Sequence, residues 1–222
     1  MSRREEAKAE RRHRIIAAAR DLIKETGDTG LSMRAIAARA GVSLTTPYNL
    51  FGSKRAIVIA LLEDVREFHE RFSQLRSVGP VDRIFQAVSI TIAYLADDPD
   101  FYRTLWTEAL RFDSKELRGE LQSPQRYGFW FSLLGEARNE GALLPGLELD
   151  PLLHALDGVY VAAMLAWVLG AIDVQEIEAH VSYGYALVLR GAATPEYSAA
   201  IEEKLMGYQR DLITLRPAVV AA

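Results

Sequence analysis

Apolar residues recur every three to four positions along almost the whole chain, and that spacing predicts helices. Ile15, Ile16, Ala19, Leu22 and Ile23 give one face to a first helix from Glu10 to Glu25. Gly27 and Gly30 bracket a loop. Ser32 stands where an N-cap accepts from free amides, and a short helix follows, Met33 to Ala40, with Ile36, Ala37 and Ala40 inward. Gly41 ends it, because glycine tolerates the positive φ of a helix C-terminus. Only Val42 separates Gly41 from Ser43, the predicted cap of a third helix, Leu44–Phe51. Pro47 falls in the first turn of that helix, where its missing amide proton costs least. Gly52 closes the third helix, and Ser53 caps a long helix that reaches Ser77 and carries Ile57, Leu61, Leu62, Val65, Phe68 and Phe72.

Gly79-Pro80 breaks the pattern. Helices are predicted beyond it at 81–96, 101–112, 114–121, 124–139, 151–170, 174–190 and 195–215. Asp98-Pro99, Ser123-Pro124, the 141–146 segment, Gly170, Gly191 and Thr194-Pro195 separate them. No strand alternation runs longer than a few residues. The expected fold is all-α: an N-terminal three-helix head at 1–55, a larger helical body at 56–215 and a frayed tail at 216–222.

Composition narrows the chemistry. The 222 residues include no cysteine, which excludes a disulfide scaffold, a cysteine nucleophile and thiolate metal sites. The four histidines fall in four different helices, with no His-Glu-x-x-His pair and no phosphate-binding glycine loop. His154 and Asp157, three apart, are expected to hold each other rather than a metal. The reading is therefore of a non-enzyme with no catalytic residues, no metal and no cofactor. The longest apolar or glycine run, Val159–Ile172, has 14 residues. A membrane span needs about 20, so a buried helix and a cytoplasmic protein are expected.

Charge is unevenly spread. The net charge of −4 conceals 12 basic and 6 acidic side chains in residues 1–55, against 14 and 24 in the rest. A basic head on an acidic body implies a polyanion partner at one end.

Within the head, Leu31–Lys54 (LSMRAIAARAGVSLTTPYNLFGSK) puts two short helices around a tight turn at Gly41. That is a helix-turn-helix pattern, and a single helix fits the major groove of DNA. Small residues at Ala37, Ala38 and Ala40 let the two helices approach. Val42, Tyr48 and Phe51 offer the second helix an apolar side, and Thr45, Thr46 and Asn49 a polar one. The ordered set Leu31, Arg34, Ile36, Ala37, Ala40, Gly41, Val42, Ser43, Tyr48, Phe51 and Lys54 resembles the TetR family of transcriptional regulators. Pro47 departs from the pattern by occupying a position usually held by an aliphatic residue. The resemblance implies that Arg34 contacts backbone or guanine. It places Leu44, Thr45 and Thr46 against the groove, Tyr48 and Asn49 on phosphate or base, and Lys54 on phosphate. Arg11, Arg12 and Arg14 are candidates for flanking phosphates.

The resemblance also implies a body that senses a ligand and dimerises. Residues 101–131 hold eight of the chain's 20 aromatics. An apolar or aromatic small molecule is expected against Phe101, Trp106, Tyr127, Trp130, Phe131, Tyr160, Met164 and Trp167. Leu152, Leu153, Leu156, Val159, Tyr160, Ala163 and Trp167 form the stripe expected to pair with a second copy, with Val181, Gly184, Tyr185, Val188 and Leu189 as another. The expected partners are a near-palindromic duplex, the ligand and a homodimer mate, with no membrane. A repressor released by its ligand fits this pattern, and so does an activator or a regulator controlled by a protein partner.

Overall fold

The computed structural model describes residues 3–27, 32–62, 72, 79–110 and 124–215. Leu31, the 28–30 loop, Phe112, the predicted 114–121 helix, the 216–222 tail and all of 63–77 except Phe72 lie outside the described residues. Among the described residues every regular element is a helix, with one isolated antiparallel bridge between Leu143 and Ala193. The helices are α1 (Arg3–Thr26), α2 (Met33–Arg39), α3 (Thr45–Phe51), α4 (Lys54–Leu62), α5 (Pro80–Asp97), α6 (Pro99–Ala109), α7 (Pro124–Asn139), α8 (Leu149–Val168), α9 (Val174–Ala192) and α10 (Pro195–Leu215).

The chain divides into two compact units, and not at a single point along it. The head is Met1–Val65 with Asp98–Ser123, and the body is Arg66–Asp97 with Pro124–Ala222. The sequence boundary at 55–56 therefore shifts, and α6 changes sides. Its Phe101 and Leu105 enter the head's core with Ile15, Ile23, Ile36 and Leu61. Ala109 of α6 is fully buried and packs with Ile59 of α4. Periodicity shows that a helix has an apolar face but not which core receives it. Asp98 caps α6 by accepting from the Phe101 amide at 3.4 Å, and its carboxylate pairs with Lys24 of α1 at 2.6 Å.

Helix α1 begins seven residues before the predicted Glu10. Its first turns carry Glu5 and Glu6 and good helix formers but no apolar face, so they left no periodic signal. Ser32 caps α2 as expected, accepting from the Ala35 amide at 3.1 Å, and Ser53 caps α4 by accepting from the Ala56 amide at 3.1 Å. Ser43 does not cap α3. The N-cap is Leu44, with no side-chain bond to a backbone amide, and the Ser43 hydroxyl instead meets Thr45 Oγ1 at 3.0 Å and Thr46 Oγ1 at 2.8 Å.

In the body, Gly184 of α9 faces Val159 of α8 so closely that a Cβ there would stand 2.5 Å from Val159 Cγ1. The small residue thus serves packing inside the chain rather than pairing of copies. The same correction holds for the stripe assigned to dimerisation. Leu152, Leu153, Leu156, Ala163 and Trp167 are buried in the body's own interior, as are Val181, Tyr185 and Leu189. The opposite face of α8 stays exposed along Ala155, Gly158, Ala162, Leu165 and Leu169. By length and composition α8 would pass as a membrane span, with 39% of its apolar window buried. The inner face of a core helix accounts for that composition equally well.

Candidate nucleic-acid interface

Helix α3 is short, and its two sides differ. Pro47 is buried, while Val42, Leu50 and Phe51 are partly buried against the head's core. Proline does the aliphatic work at position 47 because its place in the first turn needs no amide proton. The other side presents Leu44, Thr45, Tyr48 and Asn49 to solvent, with Leu44 43% and Tyr48 49% exposed. Tyr48 therefore does not pack on the apolar side where the hydrophobic pattern put it. Its side chain projects outward beside Asn49. Thr46 is half-buried, its hydroxyl engaged with Ser43. Arg34 of α2 is exposed.

The turn between α2 and α3 depends on Gly41, whose φ is +63°, a value that side chains other than glycine rarely adopt. Ala40 and Val42 donate to Ile36 and Ala37 carbonyls at 2.9 and 3.0 Å, closing the α2 C-terminus. Arg39 forks onto Glu25 at 2.8 and 2.7 Å, tying α2 to the end of α1. That bidentate bond holds the Glu25 carboxyl below the usual carboxylate range.

Two basic residues have partners that the sequence did not reveal. Arg12 donates to the Leu50 carbonyl at 3.3 Å and lies over the Phe51 ring, 4.2 Å from its centroid. It braces the end of α3 and is not a free phosphate contact. Lys54 is half-buried, and its ammonium lies 3.6 Å from the Glu108 carboxylate of α6. Neither pairing leaves a local sequence signal, since 38 residues separate Arg12 from Leu50 and 54 separate Lys54 from Glu108.

The aromatic residues expected around a ligand fall in two groups. Phe101 and Trp106 belong to the head and are buried there, with Phe101 under the cations of Arg20 and Lys24 at 5.4 Å each. Phe101 spends its surface in the head's core rather than on a body wall. Tyr127, Trp130, Phe131, Tyr160, Met164 and Trp167 belong to the body. Tyr127 stacks on Phe131 at 5.6 Å, and its hydroxyl donates to Asp150 at 2.5 Å. Trp130 meets the Tyr185 ring edge-on at 6.0 Å. Met164 and Trp167 are fully buried, Tyr127 and Tyr160 half-buried, and Phe131 exposed.

A charged pair stands among them. Arg126 donates to Asp157 at 2.7 Å, and its guanidinium lies 5.2 Å from the centroid of the Tyr160 ring. Burial pushes the Asp157 carboxyl up, against the pull of Arg126 and His154. Burial likewise pushes the Tyr185 phenol well up. Asp157 thus takes Arg126 as its partner rather than His154, whose Nδ1 lies 2.9 Å from the Asp150 carbonyl. Among the described residues no three His, Asp or Glu side chains gather as a metal set.

This geometry defines a head with a helix-turn-helix and, as a separate unit, a helical body. Residues 15–61 match the family model described as bacterial regulatory proteins, tetR family. No curated protein matches the chain. Among solved structures, full-length native TylP, a TetR regulator from Streptomyces fradiae, is 23% identical, with TM-score 0.60 over 97% of this chain and 95% of that one. Thermus thermophilus FadR, a TetR-family transcriptional repressor in complex with lauroyl-CoA, is 22% identical, with TM-score 0.64 over 82% and 95%. Bacillus subtilis FadR in complex with stearoyl-CoA is 24% identical, with TM-score 0.59 over 81% and 98%. At these identities the likeness to solved structures is one of fold. The head thus matches the tetR-family model over residues 15–61, and the whole chain shares the fold of these regulators.

Proposed function

We propose that this chain is a transcriptional regulator of the TetR family, a homodimeric repressor that binds a near-palindromic operator and leaves it when a small apolar ligand occupies the body. The exposed row Leu44, Thr45, Tyr48 and Asn49 on the outer face of α3 carries this reading. These are short-range readers. A threonine methyl touches the thymine methyl, an asparagine amide pairs with adenine N6 and N7, and a tyrosine hydroxyl reaches phosphate. Arg34 and Lys54 fix the register through phosphate. Lys54 stands at the start of α4, where free amides also favour an anion.

The outer face of α8 supports the dimer. Ala155, Gly158, Ala162, Leu165 and Leu169 are spaced three and four apart, the seam of two packed helices, and Leu169 is 73% exposed. Alanine and glycine allow close approach, and a two-fold partner would cover the same stripe on both copies. Two heads so related meet successive major grooves about 34 Å apart.

For the ligand, the body's candidates are the exposed Phe131 and half-buried Tyr127 and Tyr160, together with the buried Trp130, Met164 and Trp167, and Arg126 and Asp157 stand as charged groups beside Tyr160. Two similar structures hold acyl-CoA, so long-chain acyl-CoA is the first ligand class to try. A ligand moves the DNA equilibrium only by its differential affinity for the two states of the protein.

Selection of random duplexes by the purified protein at about 150 mM salt, with sequencing of the bound pool, tests the reading. Enrichment of a near-palindrome with half-sites about one helical turn apart is expected. A pool with no enriched sequence, bound only at low salt, would overturn it.

A further inference from the structure

Arg126 of α7 and Asp157 of α8 form an ion pair in which each side chain is only 23% exposed. The two helices run antiparallel, since Arg126 meets Asp157 while Gly135, further along α7, lies beside Leu149, earlier in α8. Trp130, one turn after Arg126 on the same face of α7, therefore falls to one side of the pair. Tyr160 and Met164, one and two turns after Asp157, fall to the other. Trp130 meets the buried Tyr185 of α9. The pair is thus flanked on both sides by apolar surface, and water reaches it only in part.

Its two members tolerate separation unequally. A guanidinium cannot shed its charge in a protein, so Arg126 withdrawn from Asp157 needs another anion. A carboxyl can become neutral, and burial already pushes that of Asp157 up. The helices packed on α8 are α7 and α9. The charged and titratable groups around Asp157 are Arg126 from α7, Tyr185 from α9, and His154 and Tyr160 from α8 itself. An incoming cation would leave Arg126 orphaned. An incoming anion leaves no orphan if Asp157 protonates. The group that Arg126 already holds is a carboxylate, and another carboxylate fits the same planar fork.

We infer that Arg126 is the seat of a carboxylate carried by the body's ligand, which takes the place of Asp157 on the guanidinium while Asp157 takes up one proton from solvent. One carboxylate replaces another and one proton enters, so every charge stays paired. The inference rests on the reading of the body as a ligand sensor, and it narrows the acyl class to its free acid.

The test uses the full chain with decanoate, and with decan-1-ol as the same chain length without the charge. Calorimetry near neutral pH in buffers of different ionisation enthalpy counts the protons. Decanoate should bring in about one proton per site and decanol none, and decanoate affinity should fall by up to about tenfold per pH unit as pH rises from about 6 to 8. Asp157→Asn should bind decanoate more tightly and take up no proton. Arg126→Gln should weaken decanoate by about 10- to 100-fold, the range of a hydrogen bond to a charged group, and leave decanol unchanged. The double variant Arg126→Gln, Asp157→Asn has no orphan charge to unfold it, and it should lose the preference for decanoate. Equal affinities of the wild type for decanoate and decanol would overturn the inference, as would binding of neither. Proton uptake that persists in Asp157→Asn would belong to His154 and would overturn it too. If both compounds release the operator equally, the ligand-released repressor stands and only the carboxylate seat falls. If proton-coupled decanoate binding leaves the operator occupied, the seat stands and the release by ligand falls.

Discussion

Gly184 makes the clearest single-residue demand in the body. A Cβ there would stand 2.5 Å from Val159 Cγ1, and a β-branched side chain in a helix has little freedom to withdraw. Gly184→Ala gains about 1 kcal/mol of helix propensity but incurs an overpacking cost of about 1–3 kcal/mol. A net loss in denaturant midpoint is expected, and Val159→Ala in the same chain should recover most of it. Tyr185 beside it is buried, and its phenol resists ionisation in the folded state. A raised folded pKa contributes stability below the unfolded value, and that stability is lost as pH rises past about 10. Thermal melts from about pH 9 to 11 should therefore fall more steeply for the wild type than for Tyr185→Phe. At the interface, Asn49→Ala is expected to relax preference at one base pair by about 1–3 kcal/mol. Lys54→Ala should weaken all sequences alike and take about 0.9 from the salt slope per head. An equal loss across sequences from Asn49→Ala would make it a phosphate contact instead.

Helix α6 carries the most information among the elements. Asp98 ties its N-terminus to Lys24 of α1, Phe101 and Leu105 enter the head's core, and Glu108 faces Lys54 of α4. The helix thus holds one end of the lysine expected on DNA. A phosphate and the Glu108 carboxylate compete for the same ammonium. Glu108→Gln should tighten operator binding by up to about fivefold per head, the most that a pair worth ~1 kcal/mol can withhold. The gain should vanish in a Lys54→Ala background. If it persists there, the carboxylate acts through the general field of the head and not through Lys54.

For the molecule as a whole, the question is what covers the outer face of α8. Ala162 lies midway along the exposed stripe, flanked by Gly158 and Leu165. Ala162→Glu places like charges opposite one another across a two-fold seam while touching nothing buried in the protomer. Light scattering on a sizing column should show the wild type as a dimer and the variant as a folded monomer, with operator affinity lost because two half-sites need two linked heads. A variant that remains dimeric would move the interface off α8.

The sequence by itself determined the local structure of this protein. Caps at Ser32 and Ser53, the glycine turn at Gly41 and the three-to-four spacing of apolar residues act within a few residues, so they can be read along the chain. The basic head, the helix-turn-helix and the outward polar residues Thr45 and Asn49 were legible for the same reason. Tertiary structure alone decided which core each helix serves. Helix α6 went to the head, the expected dimer stripe of α8 turned inward, and its plainer alanine and glycine side stayed exposed. It also decided which charges meet. Arg12 found Leu50, Lys54 found Glu108 and Asp157 found Arg126, across 38, 54 and 31 residues of chain. Hydrophobic burial is non-directional, so an apolar face states that a helix must be covered and leaves its cover to be settled by the packing of the whole.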